Sequence, residues 1–284
     1  MITKRKPKGD GHPIEIGRHV MNQFAKDIEA ADYNELITKF KWFVSEREAI
    51  RKKKDAGEAR PWTSDEILDR TKFTNIFRQH DKVSRMIFDK LNGLSGPKLV
   101  YNLIVSRLIN RCDILNDLIP LTGPPAHLLE GDAVFMNPAA YQVSPGMAKL
   151  TDHGTNRETI VHHPQTVANE VYKAIISTTD IAKAVELGNK AYGGHIKFVM
   201  LQIVLDYHYL TGHYDDASDI PVGQGASALA EKFGGLDTVA TVMDMKKYDV
   251  EHALCEFRKY LHREGKDLKK FSYVPNSMGV AQKD

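Results

Sequence analysis

Apolar residues recur three and four positions apart along most of this chain, a period that predicts helices. IEIGRHVMNQFAKDIEAA reads as a first helix and YNELITKFKWFVSEREAIRKKKDAG as a second, stopped at Gly57. TSDEILDR carries a helix start: Thr63 or Ser64 can cap it, and Asp65 and Glu66 suit the positive end of its dipole. A longer helix is predicted across 74–91, and GPKLVYNLIVSRLINRCDILNDLI gives one or two more, opened by Pro97. Helices resume at NRETIVHHPQTVANEVYKAIISTT, at 180–190, 195–210 and 225–232, and finally across 235–263. The pattern predicts an all-α, two-lobed protein.

Residues 120–155 break the rhythm. Five prolines and a scatter of glycines up to Lys149 forbid one helix. The stretch reads as the connection between the lobes and a candidate lid, with room for short extended pieces at AVFMN and AYQVS. The expected organisation is a basic arm (1–12), a helical catalytic domain (13–265) with its lobes joined around 120–155, and a C-terminal tail (266–284).

Composition changes this picture little. The 284 residues are 42% hydrophobic, enough for a sizeable core. The sequence has no apolar run near the roughly 20 residues of a membrane span and no signal-peptide stretch, so a cytoplasmic protein without membrane partners is expected. Cys112 and Cys255 lie in apolar surroundings without metal-ligand spacing and read as buried thiols. The adjacent His162 and His163 face different directions on a helix, and no metal site is expected from them. Net charge is only +2, from 39 basic and 37 acidic residues. The distribution says more: Lys4, Arg5, Lys6 and Lys8 form one basic run and RKKK (51–54) another, which suits a phosphate backbone.

The second run leads into RPWTSDEILDRTKFTNIFRQHDKVSR (60–85), where four arginines, three aspartates and Asn75 are threaded through Trp62, Phe73 and Phe77. On a helix across 75–91, Ile76, Phe77, Val83, Met86, Ile87 and Leu91 share one face. Arg78, Asp81 and Arg85 share the other, with Asn75 at its edge. Asp81 is then spaced to bridge both arginines and orient them toward an anion. A solvated, salt-bridged face is the plainer alternative. Trp62 and Phe73 are candidate stacking surfaces for a base, although core positions are their ordinary use.

GGHIKFVMLQIVLDY (193–207) is apolar nearly all round, hence buried, yet it carries Gln202 and Asp206 on one face and Lys197 on another. A buried carboxylate must be paired or used, which makes Asp206 a candidate general base; a wet helix end is the bland alternative. PVGQGASAL (221–229) places Gly223 and Gly225 before a helix, where backbone can approach an anion. No Walker sequence exists in the chain, which excludes ATP cleavage in the P-loop manner. DVEHALCEFRKYLHR (249–263) adds Glu251 and Glu256, the latter beside Phe257.

In this order, Trp62-Thr63-x-Asp65, Phe73-x-Asn75-x-x-Arg78-x-x-Asp81, GGHIKFVMLQIVLDY, PVGQGA and Cys255-Glu256-Phe257 resemble the thymine-hypermodification proteins of bacteriophages, over about residues 40–263. These are the α-glutamyl/putrescinyl thymine pyrophosphorylases and the helical domains of 5-hydroxymethyl-deoxyuridine DNA kinases. The resemblance implies a fold related to the helix-hairpin-helix DNA glycosylases. It implies DNA carrying pyrophosphorylated 5-hydroxymethyluracil as substrate, with the pyrophosphate displaced by an amino acid or polyamine. Without a fused kinase, the chain resembles the displacement enzyme, with a separate DNA kinase as a possible partner. In that chemistry Arg78 and Arg85, with Lys72, Asn75, Lys197, Gln202, Gly223 and Gly225, would hold phosphate and substrate. Asp206 or Glu256 would take the amine's proton, Asp65 and Asp81 would orient, and Trp62 and Phe73 would flank an extruded base. No cofactor is required; a divalent metal such as Mg²⁺ is compatible with pyrophosphate departure. The alternatives are a base-excising, glycosylase-like enzyme and a non-catalytic DNA-binding module serving a kinase.

Overall fold

The computed structural model describes residues 13–130, 134–137, 145–150, 152 and 154–264. The basic arm, the C-terminal tail and AYQVS lie outside these residues. Within them there are helices and no strands: α1 (Pro13–Ala30), α2 (Tyr33–Asp55), α3 (Glu66–Arg70), α4 (Lys82–Leu91), α5 (Gly96–Ile109), α6 (Cys112–Leu118), α7 (Asn156–Ile176), α8 (Ile181–Tyr192), α9 (Lys197–Thr211), α10 (Ser227–Lys232), α11 (Leu236–Met243) and α12 (Lys247–Glu264). The all-α expectation is met among the described residues.

Local chemistry explains many of the boundaries. Asp32, Asp65 and Asp180 accept the backbone N–H three residues on, at 2.9, 2.7 and 2.6 Å, and so start α2, α3 and α8. Thr155 caps α7, accepting the Glu158 N–H at 3.2 Å, and donates its hydroxyl to the Glu158 carboxylate at 2.8 Å. Each such cap contributes about 1 kcal/mol. α8 and α9 stop where Gly193 and Gly212 take φ of 101° and 66°, a conformation that glycine adopts at no steric cost.

The helices group in two sets. α5, α7, α8 and α9 pack together, while α12 is packed by α2, α3, α10 and α11. α4 leans on α5, α6 and α9. One continuous apolar core runs through both. In one set it contains Ile104, Val171, Val185 and Ile203; in the other, Phe40 and Phe43 meet Phe257 at ring separations of 5.2 and 5.3 Å. α5 and α9 are buried nearly all round, as their unbroken apolar runs require.

Three expectations change. The 120–155 stretch does not join the lobes, because its 3-10 turns at Ala126–Leu129 and Pro145–Leu150 both pack on α7. The chain crosses between the two sets from α3 to α4 and again from α9 to α10. Prolines mark where helix cannot continue; they do not mark where lobes part. Residues 74–91 are not one helix either. Arg78–His80 form a 3-10 turn, and Asp81, extended at φ −68° and ψ 139°, caps α4 through its bond from the Val83 N–H at 3.1 Å. Finally, 235–263 divides into α11 and α12 where Asp244 turns left-handed at φ 51°.

Candidate functional site

Asp206 lies in the middle of buried α9 and is fully inaccessible. Two guanidinium groups converge on it. Arg78, from the 3-10 turn before α4, places Nε and Nη2 at 3.2 and 3.1 Å from Oδ1, and Nη2 also donates to the Gln202 carbonyl at 3.4 Å. Arg107, from α5, donates Nη2 to Oδ1 at 2.7 Å and Nε to Oδ2. Arg107 is completed by Ser84 Oγ at 2.8 Å and Asn110 Oδ1 at 3.3 Å. Arg78 and Arg107 are 5% and 2% exposed, so this is a buried two-cation, one-anion cluster at the junction of α4, α5 and α9. Charges taken this far from water persist only when paired and hydrogen-bonded. Both oxygens of Asp206 are thereby occupied, and its geometry is that of an arginine holder.

α12 carries Asp249, Glu251 and His252 within the field of Arg78, and Glu256 farther along. Burial pushes the Asp249 carboxyl up to about 6, against hydrogen bonds from the Arg78 backbone and from the Tyr209 hydroxyl. Burial also pushes Glu251 up to about 7, opposed by the Gly223 N–H and the positive charge of Arg78. The Gly223 nitrogen is 3.0 Å from Glu251 Oε1. His252 places Nε2 3.1 Å from the Thr74 hydroxyl, and burial holds its imidazole below the usual value. Glu256 accepts the Thr74 N–H at 3.0 Å and Lys259 Nζ at 3.4 Å. From the other side Arg47 of α2 donates to the carbonyls of Phe73 and Thr74 at 3.2 and 3.1 Å. The strand-like stretch at 73–75 is therefore clamped between α2 and α12 by charged side chains acting on its backbone.

The remaining sequence candidates take other positions. Asp81 does not bridge Arg78 and Arg85, because it caps α4. Arg85 is exposed and faces Asp55 at 3.9 Å, apart from the Arg78 cluster. Asn75 is used locally, donating to the His80 carbonyl at 2.6 Å. Asp65 caps α3 and accepts the Tyr260 hydroxyl at 2.9 Å. Lys72 and Lys197 are exposed, whereas Gln202 is buried beside Arg78.

Both proposed stacking surfaces are engaged within the fold. Trp62 donates its indole N–H to the Glu58 carbonyl at 2.7 Å, with Lys54 and Arg60 each 4.5 Å from its ring centre. Phe73 is a core residue, edge-on to Phe43 at 5.9 Å, with Arg47 and Lys259 at 5.3 and 4.9 Å from its ring. Gly223 and Gly225 are required by packing. A Cβ at Gly223 would lie 2.9 Å from Glu251 Oε1, and one at Gly225 would lie 2.6 Å from Cys255 Sγ. Cys255 and Cys112 are both free and partly buried, and burial pushes the Cys255 thiol up to about 11, which leaves it unreactive.

Arg107, Arg47, Asp249 and His252 were not among the candidates, and Glu251 was noted without a role. Arg107 had a signal: a cation inside the apolar run of α5 demands a buried partner by the same argument that singled out Asp206. The others had none, because their surroundings come from segments remote in sequence. Among the described residues, no group of three or more His, Cys, Asp or Glu side chains is placed to hold a metal ion. None of the described helices is long and apolar enough to cross a membrane.

Fold and site together define an all-helical domain built on a buried guanidinium–carboxylate cluster, with a carboxyl that titrates near neutrality beside it. A family model described as "5-hmdU DNA kinase, helical domain" matches residues 34–243, most of the chain, and the protein belongs to that family. The match ends before α12, so Asp249, Glu251 and Glu256 lie beyond it. No curated protein and no solved structure matches the chain.

Proposed function

We propose that this protein modifies 5-hydroxymethyluracil in DNA, exchanging the pyrophosphate of a 5-pyrophosphoryloxymethyl-uracil for an amine drawn from an amino acid or polyamine. The family's link to 5-hmdU supports the substrate class. The observation that carries the chemistry is Glu251: a buried carboxyl, raised to about 7, with a backbone N–H as its hydrogen-bond donor among the described residues. A general base is most effective when its pKa lies near the working pH. In the proposed step the amine nitrogen attacks the exocyclic CH₂ and the C–O bond breaks. Pyrophosphate leaves with the electron pair, and the proton shed by nitrogen goes to Glu251. This moves the role of base from Asp206 and Glu256 to Glu251. Asp206 then positions Arg78, whose charge lies close enough to favour the ionised form of Glu251.

Exposed Lys197, together with Arg258 behind Gly225, supplies positive charge at the loop that borders Glu251. Exposed Lys52, Arg60 and Lys72 supply charge for the DNA backbone. The reading places the fold with the helix-hairpin-helix DNA glycosylases and the protein in the cytoplasm of a phage-infected cell. It requires no cofactor; a divalent metal such as Mg²⁺ would arrive with the pyrophosphate.

A second reading is a non-catalytic module that serves a separate DNA kinase. It is favoured by the pairing of Asp206 with both buried arginines, which leaves that cluster a complete structural account. Nucleoside mass spectrometry decides between them, after incubation with pyrophosphorylated hydroxymethyluracil DNA and a panel of amines. An amine adduct is the expected product. Alkali-labile abasic sites would identify a glycosylase instead, and salt-sensitive binding without product would identify the module.

A further inference from the structure

DNA is a polyanion, and a protein that acts on one of its bases must hold the strand by its phosphates. A cation serves that end when its charge is not already committed inside the fold. Most guanidinium groups around α2, α3 and the start of α4 are committed. Arg47 donates to the Phe73 and Thr74 carbonyls, Arg51 pairs with Glu48 and Asp55 at 2.5 and 2.6 Å, Arg70 faces Glu66 at 3.7 Å, and Arg78 holds Asp206. Lys54 and Arg60 differ. We infer that these two, seated on Trp62, form the clamp that grips a backbone phosphate of the DNA. The inference rests on the reading of DNA as the substrate and adds the place where the strand is held.

Trp62 is braced first. Its indole N–H donates to the Glu58 carbonyl at 2.7 Å, and Lys53 Nζ donates to its own carbonyl at 2.6 Å. Lys54 Nζ and Arg60 Cζ then lie 4.5 Å from the centre of the ring, hence no more than about 9 Å from each other. An aromatic face attracts a cation without neutralising it or consuming its N–H donors. Both residues are exposed, and among the described residues neither side chain has an ion pair or a hydrogen bond. Asp69 favours the charged form of Lys54, but burial and the like charges of Arg47 and Arg60 outweigh it and hold the ammonium below its ordinary pKa. Cations gathered with so little compensation repel one another, and a bound anion relieves that repulsion.

The dipole of α2 does not account for the arrangement. The last carbonyls of the helix are already taken by backbone: the N–H groups of Ala56, Glu58 and Gly57 donate to Lys52, Lys53 and Lys54 at 2.9, 3.0 and 3.0 Å. Arg60 lies beyond the helix altogether. Phosphates of one strand recur about every 3.4 Å along a duplex axis, so the pair can reach one phosphate or two neighbours. An open, exposed pair suits a strand, whose many charges act together, better than a single small anion such as free pyrophosphate.

The test titrates the full-length chain against a labelled oligonucleotide by fluorescence anisotropy across a salt series. Lys54→Met combined with Arg60→Gln removes both charges and keeps unbranched stems on the indole. It is expected to weaken binding roughly 10- to 100-fold near 0.1 M salt and to flatten the slope of log affinity against log salt by roughly 1 to 2. The loss should be equal for plain thymine, hydroxymethylated and pyrophosphorylated oligonucleotides, because a backbone contact reads no base. Lys54→Arg combined with Arg60→Lys keeps both charges and should retain the wild-type slope. Lys190→Ala, at an exposed position on α8, is the control and should match wild type. Where the neutral double variant fails to fold, Arg60→Gln alone serves, with a slope loss of roughly 1. An unchanged slope in the neutral variant, equal flattening in the charge-preserving one, or a loss confined to pyrophosphorylated DNA overturns the inference. The binding arm needs no turnover. If wild type makes no amine adduct while the neutral variant loses slope, displacement fails and the clamp stands; an adduct formed with an unchanged slope keeps displacement and removes the clamp.

Discussion

Two buried carboxylates in this protein, Asp206 and Glu251, meet opposite fates. Asp206 is gripped by two guanidinium groups and has no oxygen left over. Glu251 has a backbone N–H from Gly223 and a more distant Arg78, and its proton affinity rises accordingly. Equal burial thus gives one carboxylate that builds the fold and another that is poised to exchange a proton. The deciding variable is the number of full positive charges within hydrogen-bonding reach, because two guanidinium groups offset desolvation where one backbone N–H does so only in part.

The largest expected effect comes from breaking the paired side. Asp206→Asn leaves Arg78 and Arg107 buried without a counter-charge and should cost about 3–5 kcal/mol, read as a drop in the urea midpoint with an unchanged slope. A loss below about 1 kcal/mol would mean the cluster is hydrated and the contrast with Glu251 is false.

Glu251→Gln should act oppositely on the two observables. Turnover should fall by roughly 10²- to 10⁴-fold, since the proton acceptor is gone. Stability at pH 8 should rise. The sign follows from linkage: a carboxyl that ionises near 4.5 when unfolded and near 7 when folded keeps its proton longer in the folded state. Folding stability therefore declines as pH rises from about 4.5 to about 7, by on the order of 3 kcal/mol, and stays low above that window. The difference between wild type and Glu251→Gln in denaturant melts at pH 5 and pH 8 isolates this contribution. A difference independent of pH would show that Glu251 is not raised.

Gly225→Ala tests the packing account of the loop that covers α12. Its Cβ, 2.6 Å from Cys255 Sγ, should cost about 1–3 kcal/mol. Adding Cys255→Ala should recover part of that loss, so the double-mutant cycle should show favourable coupling. Independent, additive losses would argue for a different role of the glycine. The smallest effect is expected at Arg85. Its exposed, 3.9 Å pairing with Asp55 predicts that Arg85→Ala shifts stability by less than about 0.5 kcal/mol. This would set it apart from Arg78, which the sequence placed on the same helix face.

Helix content and many helix boundaries were legible in the sequence, because both depend on interactions within a few residues. Periodicity marks the buried face, and Asp32, Asp65, Thr155 and Asp180 supply caps within one turn. Local reasoning failed at 74–91 for a related reason: Asp81 serves equally well as a bridge in mid-helix or as a cap, and the choice rests on where Arg78 finds its partner. That partner is Asp206, 128 residues away. Sequence alone thus required that a carboxylate within apolar α9 have a counter-charge, since solvation energy forbids otherwise. Only the tertiary structure decided that Arg78 and Arg107 provide it, that Phe73 is a core residue and Trp62 a partly buried one, and that Glu251 keeps a proton near neutrality. Each of these depends on distance and desolvation between segments far apart in sequence, and neither quantity is carried by the spacing of residues along the chain.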